Sequence, residues 1–145
     1  MPAGKFSFTN CFFAIDNSSG TPVDLSTYVK SITINFGRAE LDKTATGDVG
    51  IARFSGLYDW SIDVELLQDF TALKVDATVW ALVAAGYGGT VSFRPSSDAQ
   101  GATNPTFAGE GIIFNYPLGL THGEVAMTSF TITGADGAAM TRTAT

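Results

Sequence analysis

Apolar and polar residues alternate with a period of two over much of this chain. From Tyr28 to Phe36, Ile32, Ile34 and Phe36 fall on one side and Ser31, Thr33 and Asn35 on the other. The pattern returns from Asp59 to Gln68, where Trp60, Ile62, Val64 and Leu66 alternate with Ser61, Asp63, Glu65 and Leu67. It returns again over 125–133, with Ala126, Thr128, Phe130 and Ile132 opposite Met127, Ser129, Thr131 and Thr133. A period of two with one polar side predicts strands of a sheet that presents one face to a core and one to water. Shorter strands are expected at 10–16, at 90–94 (stopped by Pro95), and at 107–116, with Ile112, Phe114 and Tyr116 in phase and a stop at Pro117.

The period changes once. Residues 71–85 contain no Gly or Pro and carry Leu73, Ala77, Trp80, Ala81 and Ala84 at helical spacing. Asp69 or Thr71 is placed to cap the start, Asp76 sits near the favourable end of the dipole, and Gly86 is placed as the C-terminal cap. The expected fold is therefore mainly β: a sandwich or half-barrel of two sheets with one flanking helix, in a single domain over 1–145. Residues 96–105 read as a polar surface loop, and 134–145 as a loose tail of small residues. The segment Arg38–Ser55 is long for a turn and holds little core material, which marks it as a functional loop.

Composition narrows the function. Charged residues make up 15% of the chain, well under the usual share of about 25%. Few charges among many Gly, Ala, Ser and Thr suit a surface that is covered in use. The net charge is −6 and the cations are scattered, which argues against general affinity for nucleic acid. The N-terminal residues have no apolar stretch long enough for a secretion signal, and no segment approaches the length of a membrane helix. Synthesis and assembly in a cytoplasm are expected, with no membrane insertion. Asn17-Ser18-Ser19 fits a glycosylation acceptor but reads as a turn.

Candidate chemistry is sparse. Cys11 is the only cysteine and lies in the apolar run Cys11-Phe12-Phe13-Ala14-Ile15, where an inert buried thiol is expected. His122 stands alone, so neither a metal site nor a catalytic triad finds its partners. Asp63 and Glu65 share a strand face; a glycosidase pair or a calcium site is conceivable, but a solvated sheet face is the simpler reading. Gly86–Thr90 follows a helix and has no Lys, which excludes a phosphate loop. Trp60 and Trp80 read as core residues. Tyr58, Tyr87 and Tyr116 are the best aromatic platforms if the chain were a carbohydrate-binding module. No catalytic residue, cofactor or metal site is expected.

The order of the motifs resembles a known family. Asp24-Leu25-Ser26-Thr27-Tyr28-Val29 leads into a strand; a long loop holds Thr44-Ala45-Thr46-Gly47-Asp48; Gly56-Leu57-Tyr58-Asp59-Trp60 opens a strand that ends Gln68-Asp69-Phe70. The helical stretch Val75–Leu82, then Arg94-Pro95-Ser96-Ser97, Asn104-Pro105-Thr106-Phe107-Ala108-Gly109 and the late strand Thr128–Thr133 follow. Over residues 24–134 the chain resembles a major tail tube protein of a long-tailed, siphovirus-like bacteriophage.

That resemblance implies hexameric rings stacked into a hollow tube, with DNA passing through it without specific contacts. It also implies partners among the other tail proteins (tape measure, tail tip and terminator) and a place in the virion tail after assembly in the host cytoplasm. Physically, unpaired sheet edges can be satisfied by a neighbouring copy, and a polar strand face without cations would let phosphate slide. Lumen-facing candidates are Ser31, Thr33, Asn35, Ser61, Asp63, Glu65, Ser129 and Thr131. In the segment 38–55, Arg38, Glu40, Asp42, Lys43, Asp48 and Arg53 are candidates for fixing the register with a neighbouring subunit or ring, and the loop is expected to order on assembly. A capsid decoration protein, forming trimers or monomers on a shell, is the alternative within virion proteins.

Overall fold

The computed structural model describes residues 6–86, 88–135, 137 and 139–145. Strands β1 (Phe12–Asp16), β2 (Pro22–Asp24), β3 (Val29–Asp42) and β4 (Arg53–Leu67) precede the single helix α1 (Val75–Ala85). Strands β5 (Gly89–Arg94), β6 (Thr106–Ile113), β7 (Met127–Gly134) and β8 (Thr141–Thr143) follow it. All eight strands belong to one antiparallel sheet, ordered β2-β1-β5-β6-β7-β4-β3, with β8 added to β6. The half-barrel outline agrees with the sequence reading, but the two sheets expected there are one continuous sheet. The reason is β6, which pairs with β5 through 107–111 and with β7 through 111–113 and so joins the halves.

The sheet curls around one core. Phe13, Ile15, Val91 and Phe93 from one half meet Trp60, Ile62, Val64, Leu66, Phe130 and Ile132 from the other. Trp60, 3% exposed, sits at the join. Its indole occupies space that neighbouring strands leave by lacking side chains. A Cβ at Gly109 would lie 2.7 Å from Cζ2 of Trp60, and one at Gly134 2.7 Å from Nε1. A Cβ at Gly111 would run into Ile132.

This packing corrects the phase expected for β6. Gly111 and Ile113 face inward, the strand ends at Ile113, and Ile112 and Phe114 point away from the core. Phe114 is 73% exposed. Alternation favoured the larger side chains, but the position over Trp60 tolerates only glycine.

The helix also departs from expectation. It begins at Val75 instead of residue 71, and it buries Val75, Thr78, Val79 and Leu82. Leu73 lies outside it at positive φ, Ala77 and Ala84 are exposed, and Trp80 is 60% exposed where a core residue was expected. The segment is apolar on nearly every side, so spacing alone left the phase open. No side chain caps its start. Asp69 instead holds the preceding turn: its carboxylate accepts the Thr71 N–H at 2.8 Å and its carbonyl accepts the Asp76 N–H at 3.1 Å. Gly86 does close the helix in the left-handed conformation, with its N–H on the Leu82 carbonyl.

The C-terminal tail is less loose than expected. Met140 is buried and Thr141–Thr143 pair with Thr106–Ala108. The loop 96–105 is organised by Asn104, itself buried. Its Oδ1 accepts the Ser96 N–H at 3.0 Å, and its Nδ2 donates to the carbonyls of Ser96, Asp98 and Ala99. Asn104→Ala is expected to cost about 1–3 kcal/mol, because it orphans the buried N–H and carbonyl of Ser96 and removes two further bonds that tie the loop. Thermal unfolding measures the loss, and Asn104→Asp should recover little of it, since a carboxylate cannot donate to those carbonyls. Among the described residues, no helix is long and apolar enough to cross a membrane.

Candidate functional site

The polar side of β3, β4 and β7 forms a grid with a rung at each aligned position. Ser31 pairs with Glu65 and Glu65 with Ser129; Thr33, Asp63 and Thr131 share the next rung; Asn35, Ser61 and Thr133 share the third. The eight lumen candidates are thus side by side on one face, and the structure adds Thr133. That residue was in phase with the others in the sequence, but only the register shows it completes a rung. Behind the grid, Ile62, Val64, Leu66, Thr128, Phe130 and Ile132 are buried, which fixes which side turns outward.

Donors on this face are turned onto its carboxylates. Asp63 accepts the Thr131 hydroxyl at 2.6 Å and the Asn35 amide at 3.1 Å, and the same amide reaches Ser61 Oγ at 3.3 Å. Ser31 Oγ donates to Glu65 at 3.3 Å. The outward surface is therefore rich in acceptors and hydroxyls, and no lysine or arginine stands on any of its rungs. At its end, Lys30 Nζ lies 3.8 Å from Met127 Sδ.

The segment 38–55 is a projecting hairpin. β3 runs on to Asp42 and β4 starts at Arg53, so the strands supply both flanks of the expected loop and leave a tip at 43–52. The tip is held by its own hydrogen bonds. Lys43 N–H donates to the Ala52 carbonyl at 2.9 Å, Ala52 N–H to Thr44 Oγ1 at 2.9 Å, and Ala45 N–H to the Asp48 carboxylate at 2.8 Å. The Asp42 carboxylate accepts the Thr44 N–H at 2.8 Å, and these bonds from Thr44 hold its pKa below the ordinary value.

The other charges are also engaged within the arm. Arg53 Nε meets Glu40 Oε1 at 2.6 Å. Arg38 stacks 3.8 Å above the Tyr58 ring, which stacks in turn on Phe36, and Lys43 lies 5.7 Å from the Phe54 ring. What the arm offers a partner is largely apolar instead: Val49, Ile51, Phe54 and Leu57 are exposed, Leu57 to 87%. Sequence reading passed over these residues because none falls in core phase, and exposed apolar residues clustered on a hairpin are the signal that would have found them.

Among the described residues, the open edges include β3, part of β7, the β7 side of β4 over 53–60, and β2 at the opposite end of the sheet. β3 ends the sheet and pairs only with β4. On β7, the β6 ladder covers only Ile132–Gly134, and beyond it a single bridge joins Met127 to Gly119. Residues 128–131 thus lack a ladder partner on that side, although the chain's own 114–119 runs beside them: Thr128 Oγ1 donates to the Pro117 carbonyl at 2.9 Å, and Phe114 and Asn115 border a groove with Ser129 and Thr131.

The far end of the sheet carries a hydrogen-bonded network. Tyr28 donates to Asp69 Oδ2 at 2.5 Å; this bond and those from Thr71 pull the Asp69 carboxyl down to about 2. Tyr116 donates to Asp76 at 2.9 Å and accepts from Gln68 at 2.6 Å, and burial chiefly pushes its hydroxyl up to about 12. Asp69 is depressed in the fold, so it stabilises the folded state above its unfolded value near 4, and that contribution fades as pH falls towards about 2. Tyr28→Phe is expected to move the Asp69 carboxyl back towards the ordinary range, read by carboxyl chemical shifts across an acid titration.

Other candidates find no chemistry. His122 lies in an exposed turn, and among the described residues no group of His, Cys, Asp and Glu is placed to hold a metal. Cys11 is buried, and that burial raises its thiol pKa. Tyr58 is covered by Arg38 and Tyr116 is tied into its network against Phe130, so neither offers a bare ring to a sugar. Tyr87 lies outside the described residues.

No family model matches this sequence, and no curated protein matches it. Solved structures do. A chain in the tail of an empty gene transfer agent particle, refined with C6 symmetry, superposes with a TM-score of 0.70 at 16% identity, covering 92% of this chain and 95% of that one. The SPP1 tail tube, determined by solid-state NMR and cryo-EM, gives a TM-score of 0.72 at 9% identity over 94% of this chain and 77% of that one. A chain of the six-fold symmetrised anti-feeding prophage baseplate gives 0.64 at 10% identity over 99% and 98%. The chain has a tail-tube fold.

Proposed function

We propose that this chain is a non-catalytic structural subunit of a phage-type virion tail, and that it polymerises as stacked hexameric rings into a hollow tube through which DNA passes. The observation that carries this reading is the polar grid on a sheet whose flanking edges, β3 and residues 128–131 of β7, are both open. Head-to-tail addition of the β3 edge of one copy to β7 of the next would satisfy both, with polar faces aligned and apolar faces continuous. A ring closed in this way leaves neither of those two edges unpaired, while β2 at the opposite end of the sheet stays outside it. The grid of Ser31, Thr33, Asn35, Ser61, Asp63, Glu65, Ser129 and Thr131 then lines the lumen.

The arm, carrying Arg38, Glu40, Asp42, Lys43, Asp48 and Arg53, is assigned to contacts between subunits or rings. The Arg53–Glu40 pair and the arm's own hydrogen bonds set its shape, and its exposed apolar residues supply the contact area. Partners are further copies of this chain and the tape measure, tip and terminator proteins of the same tail. The C6 and six-fold symmetry of the assemblies that contain similar chains supports the ring number.

Negative-stain electron microscopy of the concentrated protein, with light scattering alongside, tests the reading. Hollow tubes or stacked six-fold rings are expected. Closed trimers would overturn it in favour of a capsid decoration protein.

A further inference from the structure

The free edge of β3 is much longer than the edge proposed to meet it. β3 spans 14 residues, whereas the open stretch of β7 covers only 128–131. If the lower half of β3 pairs with β7 of a neighbour, the half nearer the arm still needs a partner. Beside that half, over the face β3 shares with β4, lies an open groove of about 610 Å³ lined by Ile34–Ala39 and by Asp59, Trp60 and Ser61. Six consecutive residues at a strand edge span roughly 20 Å, the dimensions of one added strand. A register shift between Arg38 and Glu40 interrupts the ladder, which resumes over Glu40–Asp42.

The occupant is specified by the two faces it must match. It has to be extended, with apolar side chains on the side of Phe36, which is 53% exposed, and polar ones in line with Asn35. Phe6-Ser7-Phe8-Thr9 has that pattern. These residues belong to no strand, and Phe6 and Phe8 are 45% and 42% exposed. They also lie at the correct end. Because successive strands in the sheet are antiparallel, the start of β1, the end of β5, the start of β4 and the end of β3 share one end of the molecule. Asn10 is anchored there by the Ser97 N–H at 3.2 Å.

A single copy leaves both its own phenylalanines and its own groove uncovered. We infer that the N-terminal segment Phe6–Thr9 of one subunit adds as a strand to β3 of another copy over Ile34–Ala39, covering Phe36 with Phe6 and Phe8. This rests on the tail-tube reading and goes beyond it by naming a second, strand-donating contact between copies.

Disulfide trapping in a Cys11→Ala background tests it. One full-length variant carries Phe8→Cys and a second carries Phe36→Cys; paired strands bring such residues within the roughly 4.4–6.8 Å Cα spacing that a disulfide needs. A third pair, Ser31→Cys with Ser129→Cys, reports the ring contact itself. On mixing, assembling and oxidising, the 8–36 pair is expected to give a cross-linked dimer that neither variant forms alone. Hydrogen exchange at 35–39 should also be slower in tubes than in free subunits by about 100-fold, and Phe6→Ser with Phe8→Ser should abolish that protection without removing it at 29–33.

Tubes that form and trap the 31–129 pair but not the 8–36 pair would overturn this inference while leaving the tube reading intact. A cross-link from Phe36→Cys to Leu118→Cys instead, from the other exposed alternating segment at 118–121, would overturn it equally. Absence of both contacts and of any ring or tube would overturn both.

Discussion

Trp60→Ala should remove a large share of the fold's stability. Truncating a buried tryptophan removes roughly 3–5 kcal/mol, against a total stability of about 5–15 kcal/mol for a domain of ordinary size. The upper part of that range is expected here. Trp60 joins the two halves of the curled sheet, and the space it fills is walled by backbone at Gly109, Gly111 and Gly134, which has no side chains free to collapse inward. The reverse change tests the same packing. Gly109→Leu places a side chain where the indole already lies, and it should destabilise by about 1–3 kcal/mol although it adds apolar volume. Circular dichroism with urea unfolding measures both. A Trp60→Ala protein that unfolds within 1 kcal/mol of the parent, on the order of an exposed-site change, would mean that the sheet halves hold together without it.

Reversing the charge of the polar grid should turn a slippery surface into an adhesive one. In assembled tubes of Asp63→Lys with Glu65→Lys, every subunit would present two ammonium groups on the face proposed to line the lumen. Each neutralised phosphate releases condensed counterions, and roughly 6–10 such contacts weaken by about 10³–10⁵ between 50 and 200 mM salt. Parent tubes are expected to retain no DNA at either salt concentration. The variant should hold it at the lower one and release it at the higher. If open tubes of the variant bind no more DNA than the parent, the grid does not face the lumen. Folding should survive the change, because Asp63 is exposed, Glu65 is only half-buried, and both project from the face opposite the core.

Period-two alternation by itself determined β3, β4 and β7 and the correct faces of all three, because a one-residue slip there would bury Asp63 and Glu65 and expose Ile62 and Val64. It also determined the polar face, and the change of period marked the helix and its Gly86 stop, though not its start or its buried side. Tertiary structure decided what lacks a local signature. Whether Trp60 or Trp80 is buried depends on which strand supplies glycines opposite it, and Gly109, Gly111 and Gly134 are far from Trp60 in sequence. The helix is apolar all round, so only packing against the sheet chose Val75, Thr78, Val79 and Leu82. The number of sheets hung on β6 pairing on both sides, and the open edge of β7 on where β6 departs. Both are choices of partner strand, and the hydrogen-bonding groups that make them are the same in every residue but proline.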